Sequence, residues 1–264
     1  MKDSYFPKAI EKFICDKPFS IDETGMSDSS VLIFDDAVLK IQKDSFLIKD
    51  EQAMMNWLEN KVSVPKCICN IIENGQNYFL MSRIDGKMSC DDEYLNKPEF
   101  LVSVLAEALK SLWSIDISGC PVKNDLSTML SAAEYRVEHG LVDIDDAEPE
   151  TFGEGGFSDP DELLKWLYDN KPEEDFVLSH GDFCLPNIFI NEGRFSGFVD
   201  IGRMGIADRY KDIALCYRSL KHNFNGRFSG KTYKGFNDNM FFDALGIEPD
   251  FEKIRYYILL DELF

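Results

Sequence analysis

Residues 180–200 place the tightest constraint on how this chain folds. Two apolar runs, Ile188-Phe189-Ile190 and Phe195–Val199, flank Asn191-Glu192-Gly193-Arg194. Apolar runs on either side of a Gly-containing turn read as a β-hairpin over 187–199. Polar groups sit at its ends: His180-Gly181-Asp182 before it, Asn187 at its start and Asp200 just after it, in Val199-Asp200-Ile201-Gly202. Both arms of a short hairpin open at the same end, so two carboxylates and an amide can converge there. Phosphoryl transfer to a hydroxyl needs this arrangement. One carboxylate orients the hydroxyl and accepts its proton, while the amide and the second carboxylate hold Mg²⁺ on the nucleotide phosphates. Asp and Asn used only for their turn chemistry would explain either motif alone. Their order and spacing together favour the site.

Upstream the chain reads as strands with one helix. Val31-Leu32-Ile33-Phe34 and Val38-Leu39-Lys40-Ile41 flank an acidic turn at Asp35-Asp36. Helical spacing of Leu47, Met54, Met55 and Leu58 predicts a helix over 46–60, ended before Pro65. A second hairpin turns at Asn74-Gly75, between Ile71-Ile72-Glu73 and Tyr78-Phe79-Leu80-Met81. Lys40 inside its apolar strand, with Glu51 one helix later, is a candidate ion pair that aims an ammonium at nucleotide phosphates. The stretch from Thr24 to Ser30 has one glycine and fails the G-x-G-x-x-G pattern, although its Ser side chains and N–H groups could cap a phosphate.

Beyond Asp85-Gly86 the pattern turns mainly helical. Leu101, Leu105, Ala108 and Leu112 line one helix face. Asp159, Pro160 and Glu162 form an N-cap, N1 and N3 start. Between 143 and 175 there are 13 acidic residues against two lysines, and Gly153-Glu154-Gly155-Gly156 suggests that part of this stretch is a solvated loop. Phe251, Ile254, Ile258 and Leu260 mark a last helix, which closes on Asp261-Glu262-Leu263-Phe264. The expected architecture is α/β (α+β) and two-lobed, with a sheet-plus-helix lobe over 1–84 and a larger, mainly helical lobe over 85–264.

Charge narrows the partners. With a net charge of −20 the chain repels nucleic acid and anionic lipid and attracts cations. No apolar stretch is long enough to span a membrane, and the first residues lack the apolar core of a signal peptide. Seven cysteines, with C-x-C rather than C-x-x-C at Cys67 and Cys69 and only three histidines, argue against a zinc site or a disulfide framework and for a reducing cytoplasm.

Several segments carry a resemblance. Gly25-Met26-Ser27, Met54-Met55-Asn56-Trp57-Leu58-Glu59, Val64-Pro65-Lys66, Ser114-Ile115-Asp116-Ile117-Ser118, the residues around Asp182, Gly202-Arg203 and the ending Tyr256 to Phe264 resemble the aminoglycoside 3′-phosphotransferases. These are bacterial antibiotic kinases with a protein-kinase-like fold. The resemblance implies ATP and Mg²⁺ as cofactors and a cationic aminoglycoside as substrate. It implies that Asp182 is the catalytic base and that Asn187 and Asp200 are Mg²⁺ ligands. Lys40, paired with Glu51, would hold the α- and β-phosphates, with Ser27 in the loop above them. Met81, Ser82 and Ile84 would belong to the connector whose backbone binds adenine. Arg203 and Arg218 would shape the acceptor side, and Asp261, Glu262 and the Phe264 carboxylate would bind the acceptor's amines. Asp212 resembles an internal anchor of the catalytic loop.

The sequence departs from that pattern at Leu185 and at His222-Asn223, where the relatives closest by the terminal segment are acidic. Val38 lacks an aromatic that can stack on adenine, and 224–239 reads as a differently built loop. These changes bear on acceptor range and nucleotide preference, and they leave the phosphotransfer groups intact. Two alternatives stand beside this reading. A kinase of another small hydroxylated molecule would share every catalytic residue. A non-catalytic kinase-like binder would be expected to have lost one of Lys40, Asp182, Asn187 and Asp200.

Overall fold

A computed structural model of the protein describes residues 6–15, 17–21, 30–43, 47–145 and 147–264. Helix α1 (Lys8–Ile14) precedes five strands, β1 (Ser20–Ile21), β2 (Ser30–Ile33), β3 (Ala37–Lys43), β4 (Cys67–Glu73) and β5 (Gln76–Ser82), with α2 (Leu47–Leu58) between β3 and β4. The strands form one antiparallel sheet in the order β1-β2-β3-β5-β4. Its two hairpins turn where the sequence predicts. Asn74 and Gly75 have φ of 54° and 73°, the pair of positive values a type I′ turn requires.

The strand period of two divides the sheet into two faces. Leu32, Ala37, Leu39 and Leu80 pack with Ile10 of α1 in one small cluster. Lys40 pairs with Phe79 and so projects from the opposite face, with Phe79 and Met81, which join Met54, Met55 and Leu58 of α2 in the main core. The lysine of an apolar strand is thereby turned toward the side of the sheet that carries α2.

The remaining chain is mainly helical: after β6 (Lys87–Met88) come α3 (Asp92–Leu95), α4 (Pro98–Trp113), α5 (Leu126–Glu138), α6 (Pro149–Phe152) and α7 (Pro160–Asp169). Strands β7 (Phe176–Ser179), β8 (Ile188–Asn191), β9 (Arg194–Phe198) and β10 (Gly205–Asp208) lead into α8 (Arg209–Asn225), α9 (Asp238–Leu245) and α10 (Phe251–Asp261). Helix α4 is the centre of this part, with Leu101, Leu105, Ala108, Leu109 and Leu112 fully buried. Trp57, Trp113 and Trp166 lie against the main core, and Tyr256 and Tyr257 are buried in it. The N-cap at Asp159 forms as expected, its carboxylate accepting the Glu162 N–H at 2.9 Å.

Two strand pairings matter for the site. Among the described residues β7 pairs with β10 alone, and β8 lies between β6 and β9. The β8–β9 hairpin is tied to the small lobe where the Phe198 N–H donates to the Ser63 carbonyl at 3.0 Å. A Cβ on Gly197 would sit 2.7 Å from Ser63 Oγ, so a side chain there would push the two lobes apart.

The acidic stretch is more ordered than its glycines suggest. It holds α6 and α7, Thr151 is buried, and the Phe157 N–H donates to the Thr151 carbonyl at 2.8 Å. A Cβ on Gly153 would lie 2.1 Å from the Pro149 carbonyl oxygen, and one on Gly156 would lie 2.4 Å from that of Thr151. These glycines permit close backbone approach instead of supplying flexibility.

Candidate active site

β7 ends at Ser179, and the chain continues as His180-Gly181-Asp182 into a one-turn 3₁₀ segment, Leu185–Asn187, before β8. One buried carboxylate shapes this turn. Asp212, in the first turn of α8, accepts the Ser179 hydroxyl at 2.9 Å, the His180 N–H at 2.7 Å and the Gly181 N–H at 2.9 Å. Burial pushes its carboxyl above the ordinary range, against the pull of those N–H groups. The His180 ring is fixed at both nitrogens: Nδ1 accepts the Asp182 N–H at 3.3 Å, and Nε2 lies 3.0 Å from the Val199 carbonyl. That places the ring proton on Nε2 and leaves the imidazole in a structural role. Gly181 has φ of 82°, and a Cβ there would stand 2.0 Å from the Arg203 carbonyl oxygen. Ser89 and Ser219 add two bolts that the sequence did not single out. Ser89 Oγ donates to the Leu185 carbonyl at 2.7 Å, and Ser219 Oγ accepts the Leu185 N–H at 3.0 Å.

The three polar groups converge. Asn187 Nδ2 donates to the Asp182 carboxylate at 2.9 Å and to its carbonyl at 3.0 Å. This holds the Asp182 carboxylate in place and leaves the Asn187 amide oxygen as an acceptor. Asp200 adopts a left-handed conformation with φ of 53°, uncommon for a residue with a side chain. In it the carboxylate reaches Lys40 Nζ at 2.8 Å. The ion pair that Lys40 makes within 4 Å is therefore with Asp200, whereas Glu51 was the expected partner. Glu51 is buried in α2 beside Gly202, whose Cβ would lie 3.7 Å from its carboxylate, and it acts on Lys40 through its field. Burial opposes the Lys40 charge, but Asp200 and Glu51 outweigh it and hold the ammonium above its ordinary range. Burial also opposes the charge of Asp200, and Lys40 and Arg203 reverse that effect, so its carboxyl lies below the usual range.

Among the described residues no cluster of three or more His, Cys, Asp or Glu could enclose a metal ion. An amide oxygen at Asn187 and a carboxylate at Asp200 are hard donors on adjacent turns. That set fits a cation such as Mg²⁺, which keeps several waters and takes its other ligands from phosphates.

The C-terminal residues are locked beside the turn. Arg218 Nη2 pairs with the Asp261 carboxylate, and Arg203 Nη1 reaches its other oxygen at 3.3 Å. Burial opposes the Asp261 charge, but Arg218 and Arg203 outweigh it and hold the carboxyl low. Leu263 is fully buried, Arg136 Nε donates to its carbonyl at 2.7 Å, and the guanidinium groups of Arg136 and Arg203 lie 5.9 and 5.7 Å from the Phe264 ring. Glu262 differs from expectation. Its side chain is 4% exposed, one oxygen accepts from Arg218 Nη1 at 3.0 Å and the other accepts the Glu148 N–H at 2.7 Å. With both oxygens engaged, it braces Arg218 and the chain at 148, and does not present a carboxylate to solvent. Asp261, with its side chain 18% exposed, remains reachable.

The departures from the family pattern have physical counterparts. Leu185 is fully buried under the catalytic turn. His222 Nε2 meets Glu148 at 3.0 Å, and Arg227 meets the same carboxylate. Cys184, adjacent to the catalytic turn, is no nucleophile, because burial and Asp182 push its thiol well above the ordinary value. On the nucleotide side, Met81 and Ile84 are buried, and the Ser82 N–H donates to the Lys66 carbonyl at 2.9 Å. Ser27 lies outside the described residues.

A lysine on a strand, two carboxylates and an amide gathered around one hairpin, and a two-lobed architecture are the arrangement of a kinase-like phosphotransferase. The profile of APH, the phosphotransferase enzyme family, matches residues 22–245. An aminoglycoside 3′-phosphotransferase of Enterococcus faecalis is 40% identical, over 97% of this chain and 96% of its own. Another from Staphylococcus aureus is 38% identical over the same shares. The crystal structure of an aminoglycoside 3′-phosphotransferase of type VIII superposes with a TM-score of 0.82 at 24% identity, covering 97% of each chain. A phosphotransferase from Streptomyces rimosus in complex with ADP and streptomycin superposes at 0.78 and 22% identity, covering 96% of this chain and 95% of its own. The chain belongs to the APH phosphotransferase family.

The Gly181 geometry carries a prediction. Gly181→Ala places a methyl group against the backbone of 203 and forces L-residue strain at positive φ. Steady-state kinetics should show kcat lowered about 100-fold or more, since small misplacements of reacting groups are that costly. Activity within a few-fold of wild type would show that the turn tolerates displacement.

Proposed function

We propose that the protein transfers the γ-phosphate of ATP to the 3′-hydroxyl of 2-deoxystreptamine aminoglycosides such as kanamycin and neomycin, and so confers resistance to them. The observation that carries this reading is the pairing of a complete phosphotransfer set with an arginine-braced acidic terminus at the same turn. The first supplies the reaction, and the second supplies a surface for a polycation. The net charge of −20 concentrates such acceptors around the protein.

ATP would lie between the lobe of residues 1–84 and that of residues 85–264. Adenine would meet the backbone following Met81. Because the Ser82 N–H is already committed to Lys66, the later connector residues up to Ile84 would provide the N–H contact. Lys40, held by Asp200 and by the field of Glu51, would meet the nucleotide phosphates. Ser27 would cap them from above. Asn187 and Asp200 would hold Mg²⁺, which when bound neutralises phosphate charge. Asp182, oriented by the Asn187 amide, would accept the acceptor hydroxyl's proton as that oxygen bonds to the γ-phosphorus and the bond to the β-phosphate oxygen breaks, releasing ADP. Asp261 and the Phe264 carboxylate would meet acceptor ammonium groups, with Arg203, Arg218 and Glu262 fixing their positions. Among the described residues no helix is long and apolar enough to cross a membrane. ATP supply and reduced thiols point to the cytoplasm.

The test is ADP release against a panel of aminoglycosides, choline, nucleosides and a peptide mixture, followed by phosphorus NMR of the product. Phosphate on the 3′-oxygen of kanamycin is the expected result. Turnover of choline or a nucleoside alone would overturn the acceptor assignment, and no turnover of any acceptor would overturn catalysis. Three outcomes should follow. Asp182→Ala should bind ATP normally but lose about 10²–10⁴ in kcat, the range for a positioned general base. Activity should vanish with a chelator and return with Mg²⁺. Deleting the last four residues would also unpair Arg218 and remove buried Leu263, so Asp261→Asn is the cleaner probe of the terminus. One ammonium–carboxylate contact near 4 Å is worth about 1 kcal/mol in water and about 4 at an effective dielectric near 20. Asp261→Asn should therefore raise the kanamycin KM by about tenfold, with the ATP KM unchanged.

A further inference from the structure

Arg218 and His222 stand one turn apart on the same side of α8. Each meets a carboxylate from a distant part of the chain. Arg218 Nη1 donates to Glu262 at 3.0 Å, and His222 Nε2 lies 3.0 Å from Oε1 of Glu148. The two acidic residues are themselves joined, because the Glu148 N–H donates to the other Glu262 oxygen at 2.7 Å. With the helix turn these contacts close a ring: Arg218, Glu262, Glu148, His222 and back to Arg218.

The end of α8 tightens the ring. The helix stops at Gly226, which is left-handed and donates its N–H to the His222 carbonyl. The Arg227 N–H reaches the same carbonyl at 3.0 Å, and this reversal lets Arg227 Nη1 donate to Oε2 of Glu148. The Phe228 ring then stands edge-on to the imidazole, with centroids 5.1 Å apart. Both Glu148 oxygens are thereby engaged, as both Glu262 oxygens are. One side of the ring opens on the acceptor terminus, since Arg218 also pairs with Asp261, whose carboxylate stays reachable.

We propose that His222 and Glu148 are positioning residues of acceptor binding: His222 holds Glu148, the Glu148 N–H holds Glu262, and Glu262 with Arg218 fixes the exposed carboxylate of Asp261. The inference rests on the acceptor reading of Asp261 given above. A lone carboxylate on a chain end has freedom to lose when it meets an ammonium group, and holding it beforehand removes that cost. Each link is a contact between groups that have no covalent reason to meet: residue 148 lies between α5 and α6, residue 222 on α8, and residue 262 just after α10. Loosening one link should therefore reach Asp261 through the others, and the effects of the links should not add. The effect should fall on acceptor affinity and leave the chemical step alone, because the links lead to Asp261 and none of them touches Asp182.

The test has a kinetic arm and an exchange arm, both run near pH 8, above the ordinary imidazole range, so that replacing His222 changes no formal charge. In the kinetic arm His222→Leu should raise the kanamycin KM about fivefold with kcat within about twofold and the ATP KM unchanged. His222→Gln, whose amide can still donate to Glu148, should stay within about twofold of wild type. In an Asp261→Asn background His222→Leu should add less than about twofold, because the group it positions is already gone. In the exchange arm, amide hydrogen exchange is followed by NMR without substrate. His222→Leu should speed exchange of the Glu148 N–H and of the N–H groups of residues 262–264 about tenfold, and His222→Gln should not. Should His222→Leu fail to fold, Glu148→Ala takes its place in both arms.

The proposal is overturned if His222→Leu leaves the kanamycin KM at its wild-type value, if His222→Gln is as damaging as His222→Leu, or if amide 148 keeps its protection. It is also overturned if the KM effects of His222→Leu and Asp261→Asn multiply independently, which would make the ring a separate contact and not a support for Asp261. A wild type that phosphorylates no acceptor would sink the function reading instead, and the exchange arm would still decide whether His222 holds the terminus.

Discussion

The site depends on one buried carboxylate. Asp212 receives a hydroxyl and two successive backbone N–H groups from residues 179–181. Buried donors left unsatisfied are costly, and apart from a 3.1 Å contact of the Gly181 N–H with Ser179 Oγ it is the Asp212 carboxylate that satisfies them. The turn therefore has one conformation in which its donors are paired. That conformation requires positive φ at Gly181 and delivers Asp182 to the mouth of the hairpin. Everything downstream follows from this placement: His180 is clamped to the Val199 carbonyl, and Val199 immediately precedes Asp200. The carboxylates of Asp182 and Asp200 are thus linked by one chain of contacts that starts at Asp212 and runs through His180.

A second network fixes the other side of the cleft, by a different logic. The chain is strongly acidic, yet at its terminus it concentrates guanidinium groups: Arg136, Arg203 and Arg218 converge on residues 261–264. A cleft that is to hold a polycation, as proposed here, needs carboxylates that stay charged and stay in place. Pairing each with a planar, permanently charged guanidinium achieves both, because arginine does not deprotonate and its fork orients the carboxylate. The cost is that part of the negative field is cancelled locally. Glu262 is almost wholly spent this way, while Asp261 keeps an exposed edge. The long-range attraction then comes from the remaining acidic surface, and the terminus contributes position more than net charge.

Local features were legible in the sequence, and long-range side-chain pairings were not. The hairpins at 74–75 and 192–193, the N-cap at Asp159 and the grouping of Asp182, Asn187 and Asp200 depend on residues a few positions apart, so pattern and turn chemistry reached them. The Lys40–Asp200 pair spans 160 residues and depends on a left-handed backbone at Asp200 that no propensity favours. Gly153 and Gly156 looked like flexibility because a sequence cannot distinguish a glycine that loosens a loop from one that admits a carbonyl. Ser89 and Ser219 carried no signal at all, since serine is common on helices and turns and its role here is set by what packs above it. The burial of Lys211 was equally invisible, because lysine at a helix start reads as exposed.

These pieces divide the charge of the site in a way that suits its reaction. On the proposed nucleotide side the protein presents a cation, Lys40, backed by carboxylates that keep it protonated; on the proposed acceptor side it presents a carboxylate, Asp261, backed by cations that keep it ionised. In the proposed reaction ATP would bring negative charge to the first, and an ammonium-bearing acceptor would bring positive charge to the second. The transferred group would cross between two regions of opposite preference, with Asp182 at the crossing. An electrostatic frame of this kind does its work only if it is rigid before substrate arrives, because dipoles that must reorient during reaction give back what they stabilise. The hydrogen-bonded chain from Asp212 and the arginine-locked terminus provide that rigidity from two points on α8, which carries Asp212 in its first turn and Arg218 near its middle.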